Sequence, residues 1–208
     1  MVYGKKFNNF QMKIKKIKDL FIGSNNQGKV REIKQLLPKN INVYSIIDYK
    51  VRSPKETGKT FSANAVLKAN YFSRFVRFPV ISDDSGLCIK SLGGKPGIYS
   101  ARWAKKYGSF HKAMKSILKQ MKNKKNRSAT FTCSLSLKYP RGKIVTVTGK
   151  VEGSISNKIL GGKGFGYDPI FIPRSKSITF GQMSKTQKIK TDHRYIAFRK
   201  MKRKIKIF

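Results

Sequence analysis

Acid is what this sequence lacks. Nine Asp and Glu stand against 47 Lys and Arg in 208 residues, a formal net charge of +38. Each carboxylate retained in such a chain needs a local reason. Cysteine is also scarce: Cys88 and Cys133 are the only two, too few for a disulfide framework and without metal-ligand spacing, which points to a reducing compartment. Histidine is scarce too: His193, beside Arg194, has no Ser or Cys nucleophile at a recognisable spacing, so a hydrolase triad has no support, and His111 reads as a helix surface residue. No apolar run approaches the ~18 residues of a membrane span. The opening MVYGKKFNNFQMKIKK lacks the apolar centre of a secretion signal. Residues 1–17 read as a disordered basic arm, with Met12 as a second candidate start, ahead of one domain over residues 18–208. The expectation is a soluble, cytoplasmic protein.

What is present is apolar material for a core. The chain is 39% hydrophobic, with 14 Phe and 9 Tyr, which argues for a packed globular protein rather than a basic tail. Its length suits one full-sized domain or two lobes sharing a core. The charge opens two readings, a surface for nucleic acid and a compositional background. The lysines run along the whole chain instead of gathering in a stripe, which favours background.

Periodicity sketches the order of elements. KDLFIGS (18–24) reads as a buried strand entering a loop, and KVREIKQLL as a helix stopped by Pro38. INVYSI (41–46) is a second strand. TFSANAVLKANYFSRFV (60–76) puts Ala65, Ala69, Phe72 and Val76 on one helical face, with Thr60 or Ser62 as cap. FPVIS (78–82) is a strand that delivers ISDDSG from its end. SFHKAMKSILKQMK (109–122) is helical. ATFTCSLSLKY (129–139) alternates as a half-buried strand, PRG turns, and KIVTVTGKVEGSI returns as its hairpin partner. PIFIP (169–173) is a short strand, and HRYIAFRKMKRKIKIF a basic helix that frays. Elements in this order predict an α/β fold, a mixed sheet flanked by helices.

Four stretches carry chemistry. GSNNQGK (23–29) joins a strand to a helix, where free N–H groups and Lys29 suit a phosphate; an ordinary polar turn explains it equally well, and the Walker spacing is absent. In DDSG, adjacent carboxylates repel unless a cation compensates, and Mg²⁺ is commonly held by one or two carboxylates plus substrate phosphates. Solvated aspartates in an Asx turn are the alternative, but the scarcity of acid favours metal at Asp83 and Asp84, with Glu56 as a third candidate. GGKGFGYDPIF (161–171) offers Phe165 and Tyr167 as flat surfaces for a base; on its own, a hairpin with core aromatics explains it better. TDHR (191–194) supplies donors for a base carbonyl or a phosphate.

Taken together and in order, SNNQGKVREI, ETGKTFSANAVLKA, ISDDSGLCIKSLGGKPGIYSARWA, GFGYDPIF and KIKTDHR resemble the inosine triphosphate pyrophosphatases, from about Lys18 to Met201. The resemblance implies an elongated mixed sheet with two lobes and a central substrate cleft, usually in a homodimer. It implies Mg²⁺-dependent hydrolysis of ITP, dITP or XTP to the monophosphate and pyrophosphate. Asp84 matches the general base, with Glu56 and Asp84, helped by Asp83, around the metal. Ser24, Asn26 and Lys29 match positions that hold the substrate's phosphates, Lys68 one that faces them from its helix, and Gly28 and Ser85 ones that touch the substrate. Phe165, Gly166, Tyr167, Asp168, Lys188, His193 and Arg194 match its base pocket. Three positions depart from the pattern. Ala63 stands for a Glu, which would remove an acid near the metal; Ile189 stands for an Asn, and Asp192 for a Ser. The competing expectation is a nucleic-acid-binding protein on a decayed pyrophosphatase scaffold.

Overall fold

The computed structural model describes residues 17–205. The expected basic arm lies outside the described residues except for Ile17, which is buried in the core rather than part of an arm. In chain order the elements are β1 (Asp19–Ile22), α1 (Gln27–Leu36), β2 (Asn42–Ser45), α2 (Ile46–Tyr49), α3 (Phe61–Phe72), β3 (Val80–Ile89), α4 (Ser100–Lys106), α5 (Phe110–Gln120), β4 (Ser128–Lys138), β5 (Ile144–Ile155), β6 (Phe171–Pro173), α6 (Lys185–Ile189) and α7 (His193–Ile205). Side-chain caps start the helices where the sequence offers them: Asn26, Thr60 and Ser109 each accept from a backbone N–H three residues on.

The strands form one mixed sheet in the order β2-β1-β3-β4-β5-β6. β1 runs parallel to β2 and β3, and the remaining pairs are antiparallel. α3 packs across β3 and β4, while α7 packs across β4 and β5. β4 is therefore covered on both faces, and the expectation of a half-buried strand fails. Cys133, Leu135 and Leu137 enter the apolar core. Ser134 and Ser136 are buried too, their hydroxyls paired with Thr148 and Thr146 across the ladder at 2.8 Å. That mutual pairing is what lets an alternating polar row enter the interior.

A second correction concerns the DDSG stretch. It does not follow a short strand but lies inside a ten-residue one, because β4 continues to pair past Asp83 and Asp84 as far as Ile89. One apolar core gathers Leu20, Ile33, Leu135, Phe198 and Met201 around α1 and α7. Another gathers Leu87, Ile117, Phe131, Phe171 and Phe180 around α5 and β6. β3 and β4 run through both, so the acids in the middle of β3 fall where the two lobes meet.

Candidate active site

A cleft of about 590 Å³ opens at that junction. Ser24, Asn26 and Lys29 line it from the start of α1, and Glu56 from the segment before α3. Asp84 and Ser85 lie on its β3 side, and Phe165–Asp168, His193 and Arg194 close the far end.

Strand alternation turns the two aspartates to opposite faces. Asp84 faces α3. Its Oδ2 accepts from Asn64 Nδ2 at 3.0 Å, and its Oδ1 lies 3.9 Å from Lys68 Nζ. Lys68 in turn reaches Glu56 Oε1 at 2.5 Å, and Arg102 donates to the Glu56 carbonyl at 2.7 Å. Burial pushes the Asp84 carboxyl above the ordinary range, against the pull of Lys68 and Lys29. For Lys68, burial works against the charge, but Asp83, Asp84 and Glu56 outweigh it and hold the ammonium protonated. The donor set suits a hard divalent cation. Two carboxylates flank a spot that the ammonium occupies, and among the described residues no third His, Cys, Asp or Glu completes a cluster. Water and phosphate oxygens would fill the remaining positions, the usual arrangement for Mg²⁺.

Asp83 faces the other way, fully buried. Its Oδ2 meets Lys29 Nζ at 3.2 Å, Arg194 Nη2 at 3.1 Å and the Ser85 hydroxyl at 3.1 Å. Burial alone would raise its pKa; Lys29, Arg194 and Lys68 overcome that and hold the carboxyl well below the usual range. Asp83 is thus engaged by Lys29 and Arg194, while Asp84 faces Lys68 and Asn64.

At the far end, Lys188 sits behind the cleft with three carboxylates around its ammonium: Asp168 at 2.6 Å, Glu32 at 2.7 Å and Asp192 at 3.5 Å. Burial raises Asp168 to about 6 despite Lys188 beside it. Arg194 bonds Glu32 through Nη1 and Asp83 through Nη2, while its buried Nε finds no acceptor among the described residues. His193 lies flat on Phe131, with centroids 4.8 Å apart and planes 9° apart. Burial and then Arg194 keep it neutral; its Nδ1 lies 3.2 Å from Asp192 Oδ1 without hydrogen-bonding geometry. The Tyr167 ring stands edge-on to Phe110 and its hydroxyl donates to the Ser100 carbonyl at 2.9 Å, so it is held as a core aromatic. Phe165 carries Lys188 over its ring at 5.0 Å and packs against Gly28, where a Cβ would come within 2.6 Å of the ring. Gly28 thus contacts the base-end loop and lines a neighbouring cavity of about 350 Å³ rather than the main cleft.

The sequence pattern of the Ham1 family matches residues 20–204. The chain belongs to the Ham1 family. A protein of Bacillus licheniformis named dITP/XTP pyrophosphatase is 41% identical over 189 residues, covering 89% of this chain and 96% of that one. The protein of the same name in Bacillus subtilis is 39% identical, with the same coverage. Among solved structures, the Staphylococcus aureus Ham1 protein superposes with a TM-score of 0.81 at 36% identity, covering 91% of this chain and 98% of that one. A HAM1 protein from Coxiella burnetii gives a TM-score of 0.82 at 29% identity, covering 91% and 99%.

Within this Ham1-family chain the three departures have structural readings. Ala63 is exposed, in the first turn of α3, and its N–H bonds the Thr60 hydroxyl. Its methyl group does not line the cleft, and the carboxylates that do lie there are Glu56 and Asp84 with Asp168 at the far end. Asp192 precedes α7 and accepts from the Arg194 N–H at 2.5 Å, a capping bond that a Ser can also make. Ile189 lines the smaller cavity. Two side chains escaped the sequence reading: Glu32, which ties Lys188 to Arg194, and Asn64. Glu32 was within reach, since the scarcity of acid that singled out Asp84 applies equally to it, and it stands one helical turn from Lys29.

Proposed function

We propose that this chain hydrolyses dITP, ITP and XTP to the monophosphate and pyrophosphate, clearing non-canonical purine nucleotides, with Mg²⁺ held by Glu56 and Asp84. The relatives named dITP/XTP pyrophosphatase, 41% and 39% identical, support the substrate class. The observation that carries the chemistry is the Lys68 ammonium between Glu56 and Asp84 in the interlobe cleft.

Attack of water on the α-phosphorus asks the protein for charge compensation and aim rather than covalent chemistry. Mg²⁺, when bound, would offset charge on the phosphate oxygens. Lys29 and Lys68 face the same cleft beside the loop that opens α1, and hold the anion. Asp84 Oδ1, the oxygen that Asn64 leaves, takes the proton from water. Asp83 keeps Lys29 and Arg194 in place from behind. At the base end, the unpaired Arg194 Nε–H suits a 6-keto oxygen, and the carboxylates around Lys188 suit a purine N1–H. Adenine presents an amino group and a lone pair there, leaving buried groups unpaired at about 1–3 kcal/mol each.

The reading includes a homodimer working in the cytoplasm. Among the described residues, no helix is long and apolar enough to cross a membrane. Incubation with Mg²⁺ and a panel of dITP, ITP, XTP, GTP and ATP is the test. Pyrophosphate release selective for the first three is expected; stepwise orthophosphate release, or ATP turned over as fast, would refute it. The reading as a binding protein on a decayed scaffold is disfavoured by the retained Glu56–Lys68–Asp84 contacts. Salt-sensitive DNA or RNA binding without turnover would reverse that judgement.

A further inference from the structure

Asn64 has no exposed surface, yet both ends of its amide are engaged. Oδ1 accepts from the Gly58 N–H at 2.8 Å, and Nδ2 donates to Asp84 Oδ2 at 3.0 Å. The two bonds fix each other. Because a backbone N–H occupies the carbonyl end, only the NH₂ end is left to face strand β3, and a carboxylate is what accepts from it. Gly58 lies two residues after Glu56, so this amide joins the segment carrying one cleft carboxylate to the other. A Cβ on Gly58 would fall 2.6 Å from Asn64 Oδ1, so the approach is open only to glycine. Lys68, one turn further along α3 on the same face, meets both carboxylates.

We propose that Asn64 is a positioning residue for the hydrolytic centre: its amide locks the Glu56 segment to Asp84 and decides which Asp84 oxygen is presented to the cleft. Asp84 Oδ2 is committed to the amide, so Oδ1 is the oxygen that meets Lys68 and the substrate side. The consequence for rate rests on the pyrophosphatase reading above; the positioning itself does not.

The test uses the full chain and the variants Asn64→Leu, Asn64→Asp and Gly58→Ala. The first readout is structural and needs no turnover: hydrogen exchange at the residue-58 N–H and the orientation of the Asp84 carboxylate in crystals of each variant. In Asn64→Leu the Gly58 N–H loses its acceptor, so its exchange should quicken about tenfold and the Asp84 carboxylate should turn from its native orientation. Asn64→Asp keeps an acceptor for Gly58 but no donor for Asp84, so Asp84 should turn while exchange at Gly58 stays near native. Gly58→Ala should displace the Asn64 amide and disturb both. The second readout is turnover: kcat should fall about tenfold in Asn64→Leu, with KM less affected. Native exchange at residue 58 and a native Asp84 orientation in all three variants overturn the proposal, whatever happens to activity or thermal stability. Altered exchange and orientation in a protein that releases no pyrophosphate would support the positioning role and refute the functional reading instead.

Discussion

Asp83 and Asp84 are consecutive residues of β3 whose carboxylates lie on opposite faces of the sheet, each with its own nearest partners. Asp83 binds Lys29 and Arg194; Asp84 faces Lys68 and Asn64. One peptide step thus separates an electrostatic brace from a reactive carboxylate, and the two substitutions should separate as cleanly. Asp84→Asn should abolish pyrophosphate release while the unfolding midpoint in denaturant holds or rises. Asp83→Asn should cost about 3–5 kcal/mol in the same unfolding experiment, because it strands buried cations.

The same division sets the response to acid. The Asp83 pKa is depressed in the folded state, so its contribution is fully present above the unfolded value of 3.8 and is lost as pH falls through the lower folded value. The Asp84 pKa is raised, so its ionised form costs stability at neutral pH and that cost is relieved as pH falls toward 3.8. Unfolding free energy measured from pH 5 to pH 2 should fall at the acid end in the native chain. Asp83→Asn should flatten that fall.

Much of this was legible in the sequence where local rules decide. The cap at Thr60 and the existence of strand β4 are properties of short stretches, and the structure keeps them. The length of β3 was not legible, because Asp83 and Asp84 break the apolar run that marks a strand. What overrides that signal is non-local: β4 supplies the hydrogen bonds, and Lys29, Arg194 and Lys68 offset the charge. Ser134 and Ser136 misled for a similar reason, since a hydroxyl row looks solvated until its partners Thr148 and Thr146 are known.

Ala63 is the third residue of α3, and the helix cap Thr60 already accepts from its N–H. A Glu at this position would reach back to the Thr60 N–H and complete a capping box. Ala63→Glu should therefore raise stability by about 0.3–1.5 kcal/mol by thermal unfolding. Turnover should be unchanged, because the side chain lies away from the cleft lining.

Gly28 and Phe165 join the phosphate-side helix to the base-end loop through a contact that leaves no room for a methyl group. Gly28→Ala should displace the Phe165 ring, which also carries Lys188 and Arg194 over its face. Steady-state kinetics should record this as KM raised about tenfold with kcat less affected, the signature of weakened binding common to ground and transition states. An equal loss in kcat with KM unchanged would place the ring in the chemical step instead.

Asp168 should make substrate binding pH-sensitive. Burial raises it to about 6, against the favourable field of Lys188. Above that pH its carboxylate accepts from Lys188 and from the Phe165 N–H at 2.8 Å, holding the base-end loop. Below it, the proton weakens both bonds and removes an acceptor from the cleft. The sign for stability is opposite to that for binding: a raised carboxyl makes the fold more stable as pH drops from 7 through 6 toward 3.8. KM for dITP or XTP should therefore climb between pH 7 and pH 5 while thermal stability holds or rises. Asp168→Asn should show an elevated KM across the whole range, with the inflection near pH 6 gone. A pH-dependent KM that survives in Asp168→Asn would assign the titration to another group.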